Sequence, residues 1–347
     1  MHAIGFTKPG PLSAPDALVD FEVGVPTPGP RDILVRIEAI SVNPADVKVR
    51  ASATPPKGQP RILGWDGAGT VVATGAQVES FKVGDEVFFA GDISRPGSYA
   101  DFTLVDERLV ARKPQSLDWA EAAAMPLTML TAWEGLFERL GVGHRALTDA
   151  AQATGPAPGA GEALLVIGGA GGVGSSVIQL ASALTGLTVV ATASRPETAC
   201  WATRMGAHHI IDHHGAMVDE YACLSLPAPR YVFSTQATDR HLGALAELIA
   251  PEGAMVMIDD PEVLNVTPFK RKSVGVHWEF MFTRPLLATP TMARQGEILK
   301  NVATLLDAKV LRTTAHTKLA GLNATTLKLA HGIVESNRAV GKVVITR

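Results

Sequence analysis

The sequence contains few cysteines, and this scarcity excludes two kinds of site. Its 347 residues include two cysteines, Cys200 and Cys223. Neither has a second Cys or a His at the spacing of a metal site, and two such residues give no disulfide framework. We therefore expect neither a cysteine-based metal site nor a disulfide-stapled fold.

Long apolar runs and an excess of one charge are also lacking. No apolar run reaches the roughly 18 residues of a membrane span, so no membrane partner is expected. Lys and Arg number 31 against 34 Asp and Glu, which argues against nucleic acid as a partner. The start, MHAIGFTKPG, lacks a basic segment followed by a long apolar stretch. A cytoplasmic location is therefore the expectation.

The hydrophobic content and the length of the chain indicate two domains, which differ in their secondary-structure patterns. Hydrophobic residues make up 46% of the chain, and its length suggests about two cores. Residues 1–112 form short alternating runs between Pro-Gly and Gly-Asp turns, which predicts a β-rich, barrel-like unit. Its clearest predicted strands are 33–40, 69–73 and 85–89.

From residue 163 to about 284, apolar strands alternate with helical patterns, which predicts a doubly wound parallel sheet and hence an α/β fold. The predicted strands are 164–167, 188–193, 231–234, 254–258 and 273–277. Helical patterns occupy 119–125, 131–140, 292–307 and 325–335. A last strand, 341–345, is expected to return to the first domain, and 143–161 is interpreted as an exposed insert without chemistry.

A glycine loop follows the first of these strands and precedes a helix predicted over 175–184. It reads Gly168-Gly169-Ala170-Gly171-Gly172-Val173-Gly174. Gly169, Gly171 and Gly174 form G-x-G-x-x-G, which allows the tight turn, the approach of a pyrophosphate, and close helix packing. The helix N-terminus favours the anion. The alternative is a loop that merely turns the chain.

The end of the next strand predicts which dinucleotide binds. An NAD site usually has an acidic residue there for the ribose hydroxyl. This chain has Ser194 and Arg195, and its first acid is Glu197, in the next helix. A guanidinium and a hydroxyl suit a 2′-phosphate, which predicts NADP(H) as the cofactor. The alternative is that Arg195 is only a surface charge.

The chain resembles the medium-chain dehydrogenase/reductase superfamily, in particular its quinone oxidoreductase branch and bacterial zinc-type alcohol dehydrogenase-like proteins. The matching segments, besides the glycine loop, are 41–46 (SVNPAD), 64–69 (GWDGAG), 83–87 (VGDEV), 91–98 (GDISRPGS), 277–282 (HWEFMF) and 341–344 (GKVV). The resemblance implies a GroES-like catalytic domain (1–127 and 286–347), a Rossmann domain (128–285) and an active site in the cleft between them.

The resemblance also locates the zinc ligands of alcohol dehydrogenases, and this chain lacks all three. The positions of the Cys, the His and the second Cys correspond to Asn43, Trp65 and Leu127. Thiolate and imidazole are the ligands that zinc prefers, so no metal is predicted. His208, His209, His213 and His214 are interpreted as loop surface, with His213 a candidate contact to the adenosine end of the cofactor.

The catalytic candidates that the resemblance implies lie mostly near the lost zinc site. Asn43 is expected to hydrogen-bond the acceptor or the nicotinamide ribose, or to serve only as a turn residue. Asp46 orients Asn43 or Lys48, or caps a helix. Lys48 supplies charge or a proton, or is a surface residue. Trp65 fills the metal pocket or is core, and Thr131 begins a helix that faces the nicotinamide.

Further cofactor contacts are expected where the sheet strands end. They are Phe233, Ser234, Ile258 and Asp259. Phe280 and Phe282 are expected to cover the nicotinamide, and the resemblance implies that Lys342, near the end of the sequence, reaches the cofactor. Phe280 and Phe282 have interface core as an alternative. Without zinc, the expected substrates are electrophilic small molecules such as quinones or α,β-unsaturated carbonyls. An alcohol dehydrogenase or carbonyl reductase and a non-catalytic NADPH-binding redox sensor remain alternatives. The resemblance also implies a homodimer through residues 273–280, with a tetramer as the alternative.

Overall fold

The computed structural model of the chain describes residues 1–146 and 157–347. The strands are β1 (His2–Phe6), β2 (Val19–Glu22), β3 (Asp32–Val42), β4 (Arg61–Ile62), β5 (Asp66–Thr74), β6 (Glu86–Phe89), β7 (Phe102–Asp106), β8 (Val110–Arg112), β9 (Ala163–Ile167), β10 (Thr188–Thr192), β11 (His209–Ile211), β12 (Tyr231–Ser234), β13 (Ala254–Met257), β14 (Gly275–Trp278), β15 (Ala315–Ala320) and β16 (Lys342–Thr346). In this part of the chain no helix is both long and apolar enough to cross a membrane.

The α-helices are α1 (Pro44–Ser52), α2 (Trp119–Ala123), α3 (Pro126–Trp133), α4 (Gly172–Leu184), α5 (Pro196–Met205), α6 (Met217–Cys223), α7 (Thr238–Leu248), α8 (Thr283–Leu286), α9 (Arg294–Asp307) and α10 (Ala324–Glu335). Short 3-10 helices cover Glu107–Leu109 and Thr267–Lys272, and one π-helical turn, Glu134–Arg139, continues α3. The chain divides into two compact units. Unit 1 comprises residues 1–127, 282–307 and 313–347, and unit 2 comprises 128–281 and 308–312.

Unit 1 is the β-rich part of the chain. One sheet has the order β15-β16-β3-β5-β6-β8, with β7 also paired to β3, and a smaller sheet has the order β2-β1-β4. Most pairs are antiparallel, and consecutive residues of β3, β5 and β16 are buried, so the central strands are covered on both faces. The predicted return of the last strand is confirmed, because β16 pairs with β3.

Unit 2 is a parallel sheet with helices between its strands. The order β11-β10-β9-β12-β13-β14 places β9 and β12 at the centre, where the winding direction reverses. Every residue of β9 is fully buried, which explains why its sequence is apolar without alternation. The predicted α/β, doubly wound fold is confirmed.

Several sequence-based boundaries were wrong. Helix α4 begins at Gly172, three residues before its predicted start, because the glycine loop itself forms the first turn. The histidine segment is not all loop, because His209 begins β11 and His208 accepts a hydrogen bond from Val189 N at 2.8 Å. Thr131 lies inside α3 rather than at its start. The predicted insert 143–161 lies partly outside the described residues.

The division into units also differs in detail from the predicted domains. The chain returns to unit 1 at Phe282 rather than at residue 286, because the Phe282 ring packs edge-on against Trp65, with centroids 5.8 Å apart. Residues 308–312 belong to unit 2, where Arg312 N donates to the Gln179 side chain at 2.9 Å.

Candidate active site

Strand register brings together polar residues that are far apart in the sequence of unit 1. On β3, Ser41 pairs with Asp66 of β5 on one side and with Val344 of β16 on the other. Asn43 directly follows β3, and Lys342 begins β16. Three chain segments therefore contribute to one cluster, which we call the Asp66 network.

Asp66 is the centre of this network and is fully buried. One carboxylate oxygen accepts hydrogen bonds from Ser41 Oγ at 2.7 Å, Asn43 Nδ2 at 2.8 Å and Lys342 Nζ at 3.1 Å. The other accepts from Leu127 N at 2.8 Å. A buried carboxylate needs such a set, because a charge without partners in the interior is strongly destabilising.

Lys342 fixes the orientation of Asn43. Its ammonium group donates to Asn43 Oδ1, to Val42 O at 3.1 Å and to Asp66. An ammonium only donates and a carboxylate only accepts, so the amide oxygen of Asn43 must face Lys342 and its nitrogen must face Asp66. All three ammonium hydrogens are thus used within unit 1. Cofactor binding by Lys342 stays a prediction.

Asp46 occupies the first turn of α1 and is also fully buried. Its carboxylate accepts from Asn43 N at 2.7 Å and from Gly64 N at 3.1 Å. The predicted capping role is therefore present, and through the backbone it also orients Asn43. Burial raises the pKa of Asp46 to about 7, against the lowering effect of its bond from Asn43 N. Lys48 lies exposed on the same helix.

The three positions that correspond to zinc ligands converge on Asp66. Asn43 and Leu127 both donate to its carboxylate, and Trp65 precedes it in the chain. An amide, an indole and an aliphatic side chain offer neither the thiolate nor the imidazole of a catalytic zinc site. Among residues 1–146 and 157–347, no group of three or more His, Cys, Asp or Glu side chains could hold a metal ion. The residues present do not fit zinc.

Trp65 is almost completely buried and packs against Phe282. Its indole nitrogen has no hydrogen-bond partner in the part of the chain that the structure describes. A buried donor without a partner is uncommon in folded proteins and marks a place where a ligand acceptor would be favoured. The predicted role of Trp65 in shaping the pocket remains a prediction.

Sequence reasoning missed a second buried pair next to this network. The Tyr99 hydroxyl lies 3.2 Å from His331 Nε2. The ring of Tyr99 covers Gly64, whose φ is +94° and whose added Cβ would lie 2.3 Å from that ring. Burial, followed by the charge of Arg50, lowers the pKa of His331 to about 3. His331 therefore stays neutral at physiological pH.

The signal for the missed residues was uneven. Ser41 and Asp66 stand inside two segments, 41–46 and 64–69, that carry the resemblance, so both could have been proposed from sequence. His331 lies inside α10 with no motif around it. Its pairing with Tyr99 follows only from the packing of elements more than 200 residues apart in the chain.

Unit 2 presents the glycine loop as an anion cradle. Gly171 caps α4, and the first turn of the helix is formed by Gly172, Val173 and Gly174. A Cβ on Gly174 would lie 2.2 Å from Gly168 O, whereas one on Gly171 would meet nothing nearer than 3.6 Å. Gly174 thus permits close packing, and the space beside Gly171 is open. Binding of a pyrophosphate at this loop stays a prediction.

Further predicted cofactor residues lie around the end of β10. Ser194 and Arg195 are half-buried, and Arg195 caps α5, with its backbone N–H donating to Thr198 Oγ1 at 3.2 Å. Ala193 N, directly before Ser194, donates to Ile211 O at 3.0 Å. Ser194 and Arg195 therefore lie beside the end of β11. His213 follows there, with its ring 5.7 Å from that of His241. Their cofactor roles stay predictions.

The carboxyl ends of β12 and β13 collect another predicted group. Ser234 Oγ lies 2.7 Å from Thr238 Oγ1, and Asp259 accepts from Thr238 N at 2.8 Å. Phe233 is fully buried, and Ile258 N donates to Ser234 O at 3.2 Å. Thr131 is buried in α3, and Phe280, after β14, is 48% exposed. Phe282 lies in unit 1 and is buried there.

Comparison with known proteins gives the family. The alcohol dehydrogenase GroES-like domain matches residues 29–115, and the zinc-binding dehydrogenase family matches 205–345. A zinc-type alcohol dehydrogenase-like protein of Staphylococcus aureus strain MSSA476 is 38% identical over 99% of both chains. The chain belongs to the medium-chain dehydrogenase/reductase superfamily. It is an oxidoreductase of that superfamily.

Two plant relatives match part of the chain. A 2-methylene-furan-3-one reductase of Solanum lycopersicum is 39% identical over 56% of this chain and 48% of its own. A chloroplastic NADPH-dependent alkenal/one oxidoreductase of Arabidopsis thaliana is 36% identical over 52% of this chain and 45% of its own.

Solved structures of superfamily members share the whole fold. A Rhizobium etli protein, whose name places it with zinc-dependent alcohol dehydrogenases, has 50% identity and a TM-score of 0.92, covering 100% of this chain and 98% of its own. A Pseudomonas syringae quinone oxidoreductase has 25% identity and a TM-score of 0.78, covering 100% and 99%. A mycobacterial protein complexed with NADPH has 25% identity and a TM-score of 0.80, covering 100% of both chains.

Proposed function

We propose that this protein is a zinc-independent, NADPH-dependent reductase of quinones or α,β-unsaturated carbonyl compounds. The observation that carries the proposal is the Asp66 network, which occupies the place of the zinc ligands with Asn43, Trp65 and Leu127. Without a metal to polarise it, a simple carbonyl or alcohol is a poor substrate. The acceptor must therefore be electrophilic by its own structure, as quinones and enones are.

The network would hold and polarise the acceptor. NADPH, when bound, would supply the hydride. The acceptor oxygen then carries a negative charge until it takes one proton from solvent. Asn43 Nδ2 has a second hydrogen beyond the one given to Asp66, and Trp65 has a buried N–H without a partner among the described residues. Both groups are suited to stabilise that charge, because donors held in a fixed orientation need no reorganisation.

The proposed cofactor fits the residues of unit 2. The glycine loop would hold the pyrophosphate, and Ser194 with Arg195 would hold the 2′-phosphate. A guanidinium binds a phosphate through a charge-assisted fork, and no carboxylate stands at the end of β10 to repel it. Two relatives give further support, since the alkenal/one oxidoreductase is NADPH-dependent by name and the mycobacterial structure contains NADPH.

The cofactor preference is tested by Arg195→Asp. We expect the wild type to bind NADPH more tightly than NADH, and the variant to reverse the order, because the carboxylate repels the 2′-phosphate and can bind the ribose hydroxyl. Dissociation constants for both cofactors, measured by fluorescence titration, check this. Equal affinity of the wild type for NADPH and NADH would contradict the prediction.

The reaction is tested by following NADPH oxidation with a panel of acceptors. Quinones and enones are expected to be reduced faster than simple aldehydes, and alcohols are expected not to reduce NADP⁺. Faster reduction of plain aldehydes would favour a carbonyl reductase. Tight NADPH binding with no turnover of any acceptor would instead favour a non-catalytic, redox-sensing protein.

A further inference from the structure

Two buried carboxyl groups face each other in unit 2, apart from the Asp66 network. Glu134 begins the π-helical turn, and Glu279 directly follows β14. They are 1% and 2% exposed. Arg139, at the end of the turn, donates its Nε–H to Glu279 Oε2 at 2.8 Å. Glu279 therefore interacts with one cation, Arg139, and with a second buried acid, Glu134.

The π-helical turn explains how Glu134 and Arg139, which are five residues apart, both reach Glu279. In an α-helix, side chains five residues apart point about 140° away from each other around the axis. In the wider π turn, hydrogen bonds join residues five apart, as Leu140 N does with Gly135 O at 3.0 Å. Glu134 and Arg139 are thus placed on one side of the turn, facing Glu279.

The surroundings of Glu279 favour its protonated form at neutral pH. Burial, followed by the charge of Glu134, raises the pKa of Glu279 to about 8, against the lowering effect of Arg139. As carboxylates, neither group has a hydrogen to donate, and Glu279 Oε1 is buried without a hydrogen-bond partner in the described chain. A shared proton supplies that bond and removes one of two adjacent buried charges.

The pair connects the turn to the part of the sheet where the nicotinamide is expected. Glu279 N donates to Met257 O of β13 at 2.9 Å. Gly135, next to Glu134 in the chain, packs closely against Phe233, because a Cβ on Gly135 would lie 2.4 Å from the Phe233 ring. Phe233 and Ser234 are the last two residues of β12. In a doubly wound sheet, each half binds one mononucleotide at the carboxyl ends of its strands. Strands β12, β13 and β14 form the half opposite the glycine loop and Arg195.

We propose that Glu134 and Glu279 are positioning residues that share one proton, and that this protonated pair holds residues 279–280 in the conformation that binds the nicotinamide end of the cofactor. The inference rests on the proposed NADPH binding. Glu134 and Arg139 are the charged side chains that act most strongly on Glu279. When the proton leaves, one guanidinium faces two buried negative charges, and the segment after β14 separates from the turn.

The test compares two ligands across the pKa of the pair. The Kd of NADPH in the wild type is expected to rise about tenfold from one pH unit below to one unit above that pKa, because the competent fraction falls to about one in eleven. Adenosine 2′,5′-bisphosphate, which lacks the nicotinamide, is expected to bind equally at both. Glu279→Gln and Glu134→Gln should bind NADPH with a flat pH profile. The exposed Glu262→Gln is the matched control and should behave as the wild type.

A flat profile in the wild type, or an equal fall in the affinity of the bisphosphate, would overturn the proposal. The infrared spectrum of the protein without ligand gives a second measurement. Below the pKa of the pair, the spectrum of the wild type minus that of Glu279→Gln is expected to show the carbonyl band of a protonated carboxylic acid, because the contribution of the buried Asp46 is common to both proteins and cancels. The absence of that band from the difference spectrum would also overturn the proposal. Failure of NADPH to bind at any pH would instead refute the proposed function and leave the infrared test valid.

Discussion

Replacing Lys342 with Met removes the one cation of the Asp66 network and should destabilise the protein strongly. Lys342 is 3% exposed and donates to Asp66, Asn43 and Val42. Methionine has a similar reach but no donor, so Asp66 loses its only cationic partner in the described chain and Asn43 Oδ1 loses its donor. Breaking a buried ion pair by removing one partner costs about 3–5 kcal/mol. We expect a loss of that size in the free energy of unfolding.

The loss is measured by urea unfolding of the protein without ligand. Lys318→Met is the matched control, because Lys318 lies on the neighbouring strand β15, 45% exposed, 3.1 Å from Asp118. A surface pair of this kind contributes about 0–1 kcal/mol. Adding Asp66→Asn to Lys342→Met should recover part of the loss, because no buried charge then lacks a partner. Equal, small losses for Lys342→Met and Lys318→Met would refute the reasoning.

Three further predictions concern the cofactor, the acceptor and the assembly. Gly174→Ala should lower the melting temperature, because the added Cβ would lie 2.2 Å from Gly168 O. Gly171→Ala should fold normally, because its Cβ would meet no atom nearer than 3.6 Å, but it should weaken NADPH binding. Equal melting temperatures of the two variants would contradict this. Trp65→Phe keeps the ring but removes its N–H, and should lower kcat for quinones by roughly tenfold, equivalent to about 1.4 kcal/mol of transition-state stabilisation; an unchanged kcat would exclude the role. We propose that β14, the edge of its sheet, pairs with a second copy, so Val276→Pro should convert a dimer to a monomer in light scattering; a dimer that persists would place the interface elsewhere.

Much of the fold was predictable because local patterns specified it. The run over 231–234 coincides with β12, since a fully buried parallel strand is apolar without a break. Strand β11 was missed because it has three residues, too few for a periodic pattern. The start of α4 was misplaced because glycines are poor helix formers, and only the tertiary packing of Gly174 on the strand places them in the first turn.

The sequence by itself determined which side chains stand at the three positions of the zinc ligands, and it predicted the anion cradle. The identities of Asn43, Trp65 and Leu127 rule out zinc ligands in any conformation, and the spacing of the glycine loop is a local property of the chain. The tertiary structure decided which polar groups meet. Asp66 and Lys342 lie 276 residues apart and bond because β3 pairs with both β5 and β16. Glu134 and Glu279 meet because a π turn packs beside β14. Periodicity shows which face of an element is buried, but the partner on that face follows only from strand register and packing.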